Sequence, residues 1–561
     1  METYRTVLFL LLAGISIVLY TRWMEFSAIN QGVETTPTSE QASQAATSSV
    51  PDVPSIDDAI SSTPTIAAPD LLNSSVSSLG DSEQQIIRVE TDLLIVEINP
   101  LGGVIERVEL KAHPADIKQP DIGYALIKSN PQEHFVVQDG LLFAGQKAEN
   151  NLYHNVSYSY EETDYQLGYA DQVVVPLSWA RDDGVSVTKR LTFKRNSYVL
   201  TYDYLVENQS ANTVVAYQYG QFERTEPEST GGGFGQIPSF TGAAVYTDAD
   251  KYQKVSFDEL EEKVLDQASG AQWLAMMQHY FVAAWLFDDA DYELFSKKNG
   301  QKYIALYRQS NPAVIAAQST GELSASVFIG PKEQDRLKLI EEQNNIEGLP
   351  LTVDYGFLTF IADPLFWALN NINKFINNWG WSIIILTFLI KLIFYPLSAA
   401  SYKSMAGMKK LQPRIQTLKE RYKDDRQKFQ MEMMELYKKE KINPAGGCLP
   451  ILIQIPVFIA LYWVLLESVE IRQAPFALWL QDLSAPDPFY VLPVLMGLSM
   501  WVQQKLNPAP VDDIQKKVFM IMPFALTLLF LTFPAGLVLY WVVNNVLSMA
   551  QQWFINKKHA E

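Results

Sequence analysis

The sequence predicts a multi-domain fold: a polytopic α-helical membrane protein of six transmembrane helices, five of them in one core, with a large β-sandwich domain on one side of the membrane and a helical hairpin on the other. Three observations predict it. Apolar segments recur near the ~20 residues that a bilayer requires, at Thr6–Tyr20, Trp379–Ala400, Cys448–Leu466, Phe489–Leu506, Val518–Phe533 and Gly536–Phe554. Strand-like alternation fills the stretch between the first span and the rest. Charge divides along the same line: Trp23–Pro350 holds 22 Lys+Arg against 47 Asp+Glu, whereas Leu351–Glu561 holds 20 against 15.

Residues 1–26 form the first element. Arg5 and Arg22 flank the apolar run, and "TRWMEFSA" offers no clean small-x-small cleavage site, so a signal anchor is favoured over a cleaved signal peptide. Residues 27–80 are rich in Ser, Thr, Pro, Ala and Gln. Such a stretch buries too little apolar surface to offset its ordering entropy and reads as a flexible linker.

Residues 81–350 carry the β-sandwich. In "VTKRLTFKRNSYVLTYDYLVEN", Val187, Lys189, Leu191 and Phe193 share one face, "KRNS" turns, and Tyr198, Leu200, Tyr202, Tyr204 and Val206 continue the alternation. Long alternating strands with Gly and Asn turns at this length suggest two packed sheets. "GGGFG" (Gly231 to Gly235) reads as a flexible turn, because no Lys-Ser/Thr and no helix start follows it as a phosphate loop requires. "PKEQDRLKLIEEQNNIEG" (Pro331 to Gly348) reads as a helix.

Residues 351–378 are amphipathic, with Phe357, Phe360, Ile361, Leu365, Trp367 and Leu369 among Asn and Lys. They read as a helix in the membrane interface. The start of a span is the alternative, against which Asp363-Pro364 and the Asn run argue.

Residues 379–561 hold the five-helix core, with a cytoplasmic hairpin at 401–447. That loop carries twelve Lys and Arg, whereas Ser468–Pro488 carries only Arg472. By the positive-inside rule both termini and the basic loop are cytoplasmic and the acidic domain lies opposite. Within the loop, Met408, Leu411, Ile415, Leu418 and Tyr422 step by threes and fours, Asp424 or Asp425 can cap a second helix, and Phe429, Met433 and Leu436 resume the seam. Its lysines can meet anionic lipid or an acidic partner such as a ribosome, or form an ordinary solvated face.

Composition removes several classes. An acidic domain repels nucleic acid, so sequence-specific nucleic-acid binding is not expected. The single cysteine, Cys448, permits no intrachain disulfide or cysteine-type zinc site, and the five histidines make no ligand spacing. No GxxxxGK[ST] pattern is present. No metal or cofactor is expected.

The polar residues inside the spans carry the functional signal. Lys391 interrupts "WSIIILTFLIKLIFYPL". Eleven Ile, Leu and Phe between Ile383 and Leu397 contribute about −3 to −6 kcal/mol of insertion free energy against roughly +3 for a central Lys, so the segment still inserts. Thr387, Lys391, Tyr395 and Ser398 form one helical stripe, and Tyr540, Asn544, Ser548 and Gln551 form another. Gln454 sits in "PILIQIPVF", and no acidic residue lies deep in any span. A dry, unpaired ammonium is excluded, so the stripes point to a wet groove lined by Lys391, Thr387, Gln454 and the Asn544 stripe. Snorkelling of Lys391 and plain interhelical hydrogen bonding by Gln454 and Asn544 are the alternatives.

The stretches "IKLIFYPL", "KKLQPRIQTLKERYKDD", "INPAGGCLPILIQIPVFIALYWVL", "SVEIRQAPFALWLQDLSAPDPFYVLPVLMG" and "FPAGLVLYWVVNN" resemble the bacterial YidC membrane protein insertases, relatives of the mitochondrial and chloroplast insertases. The resemblance spans the chain and takes the Gram-negative form, whose β-sandwich is periplasmic. It implies a non-enzymatic insertase and chaperone of the inner membrane. Its partners would be nascent membrane proteins, the Sec translocon with its accessory subunits, the ribosome and signal-recognition-particle pathway, and the phospholipid bilayer. It also implies that Lys391 is the charge of a hydrophilic groove; many relatives carry Arg there, so the charge is kept and the bidentate fork lost. The substrate path would run along Ile455, Pro456 and Phe458 and along Met520, Phe524, Leu528 and Phe530, with Tyr540 or Trp541 as an aromatic contact.

Two other classes compete. Polar stripes also suit a transporter or channel with a periplasmic binding domain, but there is no inverted repeat and no pair of intramembrane acids. A carbohydrate enzyme on the sandwich would need ordered carboxylates, and no motif orders them.

Overall fold

The computed structural model describes residues 85–561 except 131, 147–150, 228–238, 267, 288–290, 424, 441, 443–448, 508–512 and 561. The expected anchor (1–26), the linker (27–80) and the "GGGFG" turn lie outside the described residues.

Alternation builds the β-domain as expected. In Val185–Lys194 and Val199–Asn208 every second residue is buried, and the strands pair antiparallel with Lys189 opposite Tyr204 and Leu191 opposite Tyr202. They belong to an eight-stranded antiparallel sheet. An eleven-stranded sheet, centred on His134–Phe143 and Val214–Thr225, supplies the second layer. Apolar residues of both sheets pack between them.

The inward position of Lys189 has a partner that its own strand does not reveal. Its Nζ donates to Asp139 Oδ1 at 2.7 Å and to Gly103 O at 3.1 Å, and the Tyr204 hydroxyl donates to the other Asp139 oxygen. Asp139 lies on the facing sheet, so the pair bridges the sandwich. Burial pushes the Asp139 carboxyl up and the Lys189 ammonium down, and each partner pulls the other back.

The chain leaves the sandwich by helix α1 (Gln334–Asn344), shorter than the sequence suggests because Asn345 turns left-handed at φ 52°. Two 3-10 turns, Leu349–Thr352 and Gly356–Leu358, replace the start of the expected interfacial helix, and α2 spans Thr359–Ile376. α2 buries Ala362, Phe366 and Leu369 while Phe360, Trp367 and Phe375 face outward. The apolar core runs from the sandwich through Leu337, Leu349 and Tyr355 into Phe366 and Leu369, so the two regions share it.

Asn377 ends α2 in the left-handed region, and the Asn378 side chain caps α3 (Trp379–Ile393). The sequence suggests a span running on to Ala400. Instead the chain bends by 68° at Phe394, and α4 (Tyr395–Arg421) runs unbroken into the hairpin. Pro396 accounts for the break: it has no N–H to give Leu392 and its ring crowds that carbonyl. α5 (Arg426–Lys439) returns, capped by the Asp425 side chain on Lys428 N at 2.9 Å. Leu411, Ile415 and Tyr437 form the buried seam with Met408, Phe429, Met433 and Leu436 around it. Leu418 and Tyr422, expected to extend the seam, are only half-buried and lie outside this cluster.

The remaining apolar segments are α6 (Leu449–Glu467), α7 (Val491–Leu506), α8 (Asp513–Phe530) and α9 (Ala535–Ala560). Among the described residues no single helix is long and apolar enough to cross a membrane; only α3 and α4 together reach that length and hydropathy.

Candidate functional site

α3 and α9 pack against each other, and their polar stripes meet. Residues four apart share one helix face, so Lys391 on α3 faces Asn544 and Ser548 on α9. Lys391 is 7 % exposed. Its Nζ donates to Ser548 Oγ at 2.8 Å and reaches Gln454 Oε1 on α6 at 3.5 Å. Gln454 Nε2 donates to Asn544 Oδ1, and Ser548 Oγ donates to Asn544 O one turn back at 2.7 Å. Three helices thus contribute one polar chain.

Lys391 lies in the last turn of α3, where carbonyls have no helical partner. Gln551 Nε2 donates to the Lys391 carbonyl at 3.4 Å. The backbone freed by the Phe394 bend and the ammonium beside it are therefore both met by α9. Among the described residues no carboxylate pairs with Lys391, whose oxygen partners are neutral.

Ile390, Lys391, Phe394, Leu397, Ser398, Ile453 and Gln454 line a cavity of about 20 Å³. That has room for about one water, a narrower space than the groove the sequence suggests. Thr387 stays on the stripe but does not join the chain: it is 1 % exposed and its hydroxyl donates to Ile383 O of its own helix at 2.6 Å.

The expected substrate path divides. Ile455, Met520, Phe524 and Leu528 are exposed, the last three on one face of α8. Pro456 is half-buried within α6. Phe530 is instead turned inward, with its ring 5.2 Å from Trp541 and 6.5 Å from Phe458. Tyr540 is 2 % exposed and stacks on Phe458 at 6.2 Å, while Trp541 meets Phe458 edge-on at 4.6 Å. Trp541 is the more accessible of the two. Sequence reasoning placed Ser548 and Gln551 on the right stripe without selecting them as site residues; the stripe itself was the signal.

Residues 86–368 match the model of the YidC periplasmic domain, and residues 371–561 match that of the 60Kd inner membrane protein. A protein of Stutzerimonas stutzeri called membrane protein insertase YidC is 43 % identical over 568 residues, covering 100 % of this chain and 99 % of that one. The protein of the same name from Nitrosococcus oceani is 43 % identical over 561 residues, again covering 100 % of this chain and 99 % of its own. A crystal structure of an active YidC insertase with its first transmembrane domain resolved covers 84 % of this chain and 92 % of its own, at TM-score 0.39 and 19 % identity. The similarity in sequence, not that superposition, decides the family. A transporter finds no support among these relatives. The chain belongs to the YidC family of membrane protein insertases.

Proposed function

We propose that the chain inserts nascent membrane proteins into the bacterial inner membrane through the polar chain at Lys391. As a member of an insertase family it is not an enzyme. In this reading five segments of the helical region span the bilayer, namely α3 with the start of α4 beyond its bend, α6, α7, α8 and α9, with both termini and the hairpin cytoplasmic and the β-domain periplasmic. The observation that carries it is a buried ammonium held only by neutral oxygens. Such a charge is unspent: an acidic tail entering the groove supplies the counter-ion that the fold does not.

The steps follow from that. The polar tail of an incoming span enters beside Lys391, whose charge lowers the cost of bringing a carboxylate into the bilayer. The apolar part slides along the exposed face of Met520, Phe524 and Leu528 into lipid. Transfer of some 20 apolar residues supplies the driving force, so no nucleotide is required. The basic hairpin makes the first contact with the ribosome or the emerging chain, and the same groove serves substrates arriving alone or from the Sec translocon.

Reconstituted vesicles and a substrate with an acidic tail test the reading. Lys391→Ala and Lys391→Glu abolish insertion, and Lys391→Arg keeps it. Full activity of Lys391→Glu overturns the electrostatic step. Removal of Lys419 to Lys438 without loss of insertion removes the hairpin's role.

A further inference from the structure

At the opposite end of α6 from Gln454, residues 468–488 lead to α7, and the loop they form is built, not slack. Asp487 accepts from Trp479 Nε1 at 3.0 Å and from Leu492 N, in the first turn of α7, at 2.7 Å. The Phe476 carbonyl accepts from Asn378 Nδ2, at the start of α3, at 3.0 Å. Leu483 O and Ala485 O accept the Gly536 and Ala535 amides, at the start of α9, at 2.9 and 2.8 Å. Even a methyl group on Gly380 would lie 2.0 Å from the Phe476 ring. One loop therefore ties the first turns of three helices and closes that end of the bundle.

The same loop is bonded to the β-domain. Glu470 Oε1 accepts the amide of Gln334, the first residue of α1, at 3.1 Å. Glu333, which precedes α1, makes no side-chain capping bond. The first amides of a helix need outside acceptors, and its positive end favours a carboxylate. Gln334 Nε2 donates to the Tyr355 hydroxyl at 2.9 Å, and that hydroxyl lies 2.9 Å from Ser468 Oγ. Arg472 Nη2 and Gln473 Nε2 both donate to Pro114 O, on the strand Val104–Asp116, at 2.8 and 3.1 Å. The Arg472 guanidinium also sits 5.7 and 5.6 Å from the ring centres of Tyr124 and Phe281. His279 Nε2 donates to Leu466 O at 2.9 Å.

We infer that Glu470 is the N-terminal cap of α1, supplied by the helical region to the β-domain, and that this cap, with Arg472 and Gln473 on Pro114, bolts the loop closing the bundle onto the sandwich so that both regions move as one body. Glu470 is then a positioning residue: it acts through the loop and not on substrate. The inference rests on the fold and stands apart from the reading of Lys391.

Two measurements on the full chain test it. Glu470→Ala speeds amide exchange in the first turn of α1 on the order of tenfold, the size of a lost cap, while exchange in Val185–Lys194 is unchanged. Glu470→Gln, which keeps an acceptor in place, stays within about threefold of the parent. Spin labels at Lys118→Cys and Leu478→Cys, with Cys448→Ser, report the distance between the two regions. One narrow distance is expected in the parent and in Glu470→Gln, and a broadened one in Glu470→Ala. If Glu470→Ala does not fold, Arg472→Ala with Gln473→Ala carries the distance test. Unchanged exchange in Glu470→Ala, or a broad distribution in the otherwise unaltered chain, overturns the inference.

Discussion

Lys189 in the β-domain and Lys391 in the helical region are both buried, at 0 % and 7 % exposed. Lys189 meets a carboxylate, a carbonyl and a sandwich of tyrosines, so its charge is cancelled inside the fold. Lys391 meets a serine hydroxyl and an amide oxygen, which solvate the charge without neutralising it. The first arrangement needs nothing from outside. Under the proposed function an arriving anion completes the second, and that difference separates a lysine of the scaffold from one proposed for the site.

Breaking the comparison at Lys391 has the largest expected effect. Lys391→Glu abolishes insertion of a substrate with an acidic tail in vesicles, and leaves the unfolding of the β-domain where it was. Breaking it at Lys189 does the reverse. Lys189→Ala or Asp139→Ala leaves one buried charge alone and destabilises the β-domain by about 3–5 kcal/mol, whereas Lys189→Met with Asp139→Leu recovers most of that loss. Chemical unfolding followed by tryptophan fluorescence, or amide exchange in Val185–Lys194, reads this directly. Next in size, Ser548→Ala removes the nearest oxygen from Lys391 and lowers insertion of acidic-tailed substrates by roughly tenfold or less. Ser548→Thr restores it, and a substrate with a neutral tail is unaffected.

The smallest effect lies at the junction and depends on pH. Burial pushes the Glu470 carboxyl up to about 7 from an ordinary 4.5, with Glu333 and Asp335 adding repulsion. Burial holds His279 down at about 4 from 6.5, and the Lys332 charge adds to it. The raised carboxyl contributes stability below pH 4.5 that is lost as pH climbs through 7. The lowered imidazole contributes stability above pH 6.5 that is lost as pH falls through 4. Protection of the amides in the first turn of α1, taken relative to their intrinsic exchange at each pH, is therefore greatest in mid-range between pH 4 and 8. Glu470→Gln reduces the alkaline arm, which Glu467, also pushed up to about 7 by burial, shares, and His279→Gln flattens the acid arm.

The features legible in the sequence are those with a short period. Alternation placed Lys189 inward and Tyr202 and Tyr204 beside it, and the four-residue stripe placed Lys391 opposite Asn544 and Ser548. Asp139 was invisible as a partner because it lies fifty positions away and on the other sheet, where local pattern carries no information. The Phe394 bend was within reach, since Pro396 stands in plain view, but unbroken hydropathy across it suggested a straight span. Thr387 shows the limit of a stripe: position on a face does not say whether a hydroxyl turns outward or back to its own carbonyl. The loop 468–488 carried part of the family resemblance and a single arginine, but no sign of its bonds. Its bonds join backbone groups from four separate parts of the chain, and no window of sequence contains them.

The bend at Phe394 has a mechanical corollary. α4 leaves it as a continuous rod of 27 residues, about 40 Å long, whose near end is four positions from Lys391. A rod pivoting on an elbow is a lever, and here the arms are very unequal. A sideways displacement of about 4 Å at the hairpin tip turns the rod by only about 6°, and at the elbow it becomes a shift of a few tenths of an ångström, the scale on which a hydrogen bond lengthens or shortens. Whatever presses on the hairpin is thus geared down to the resolution of the contacts around one ammonium.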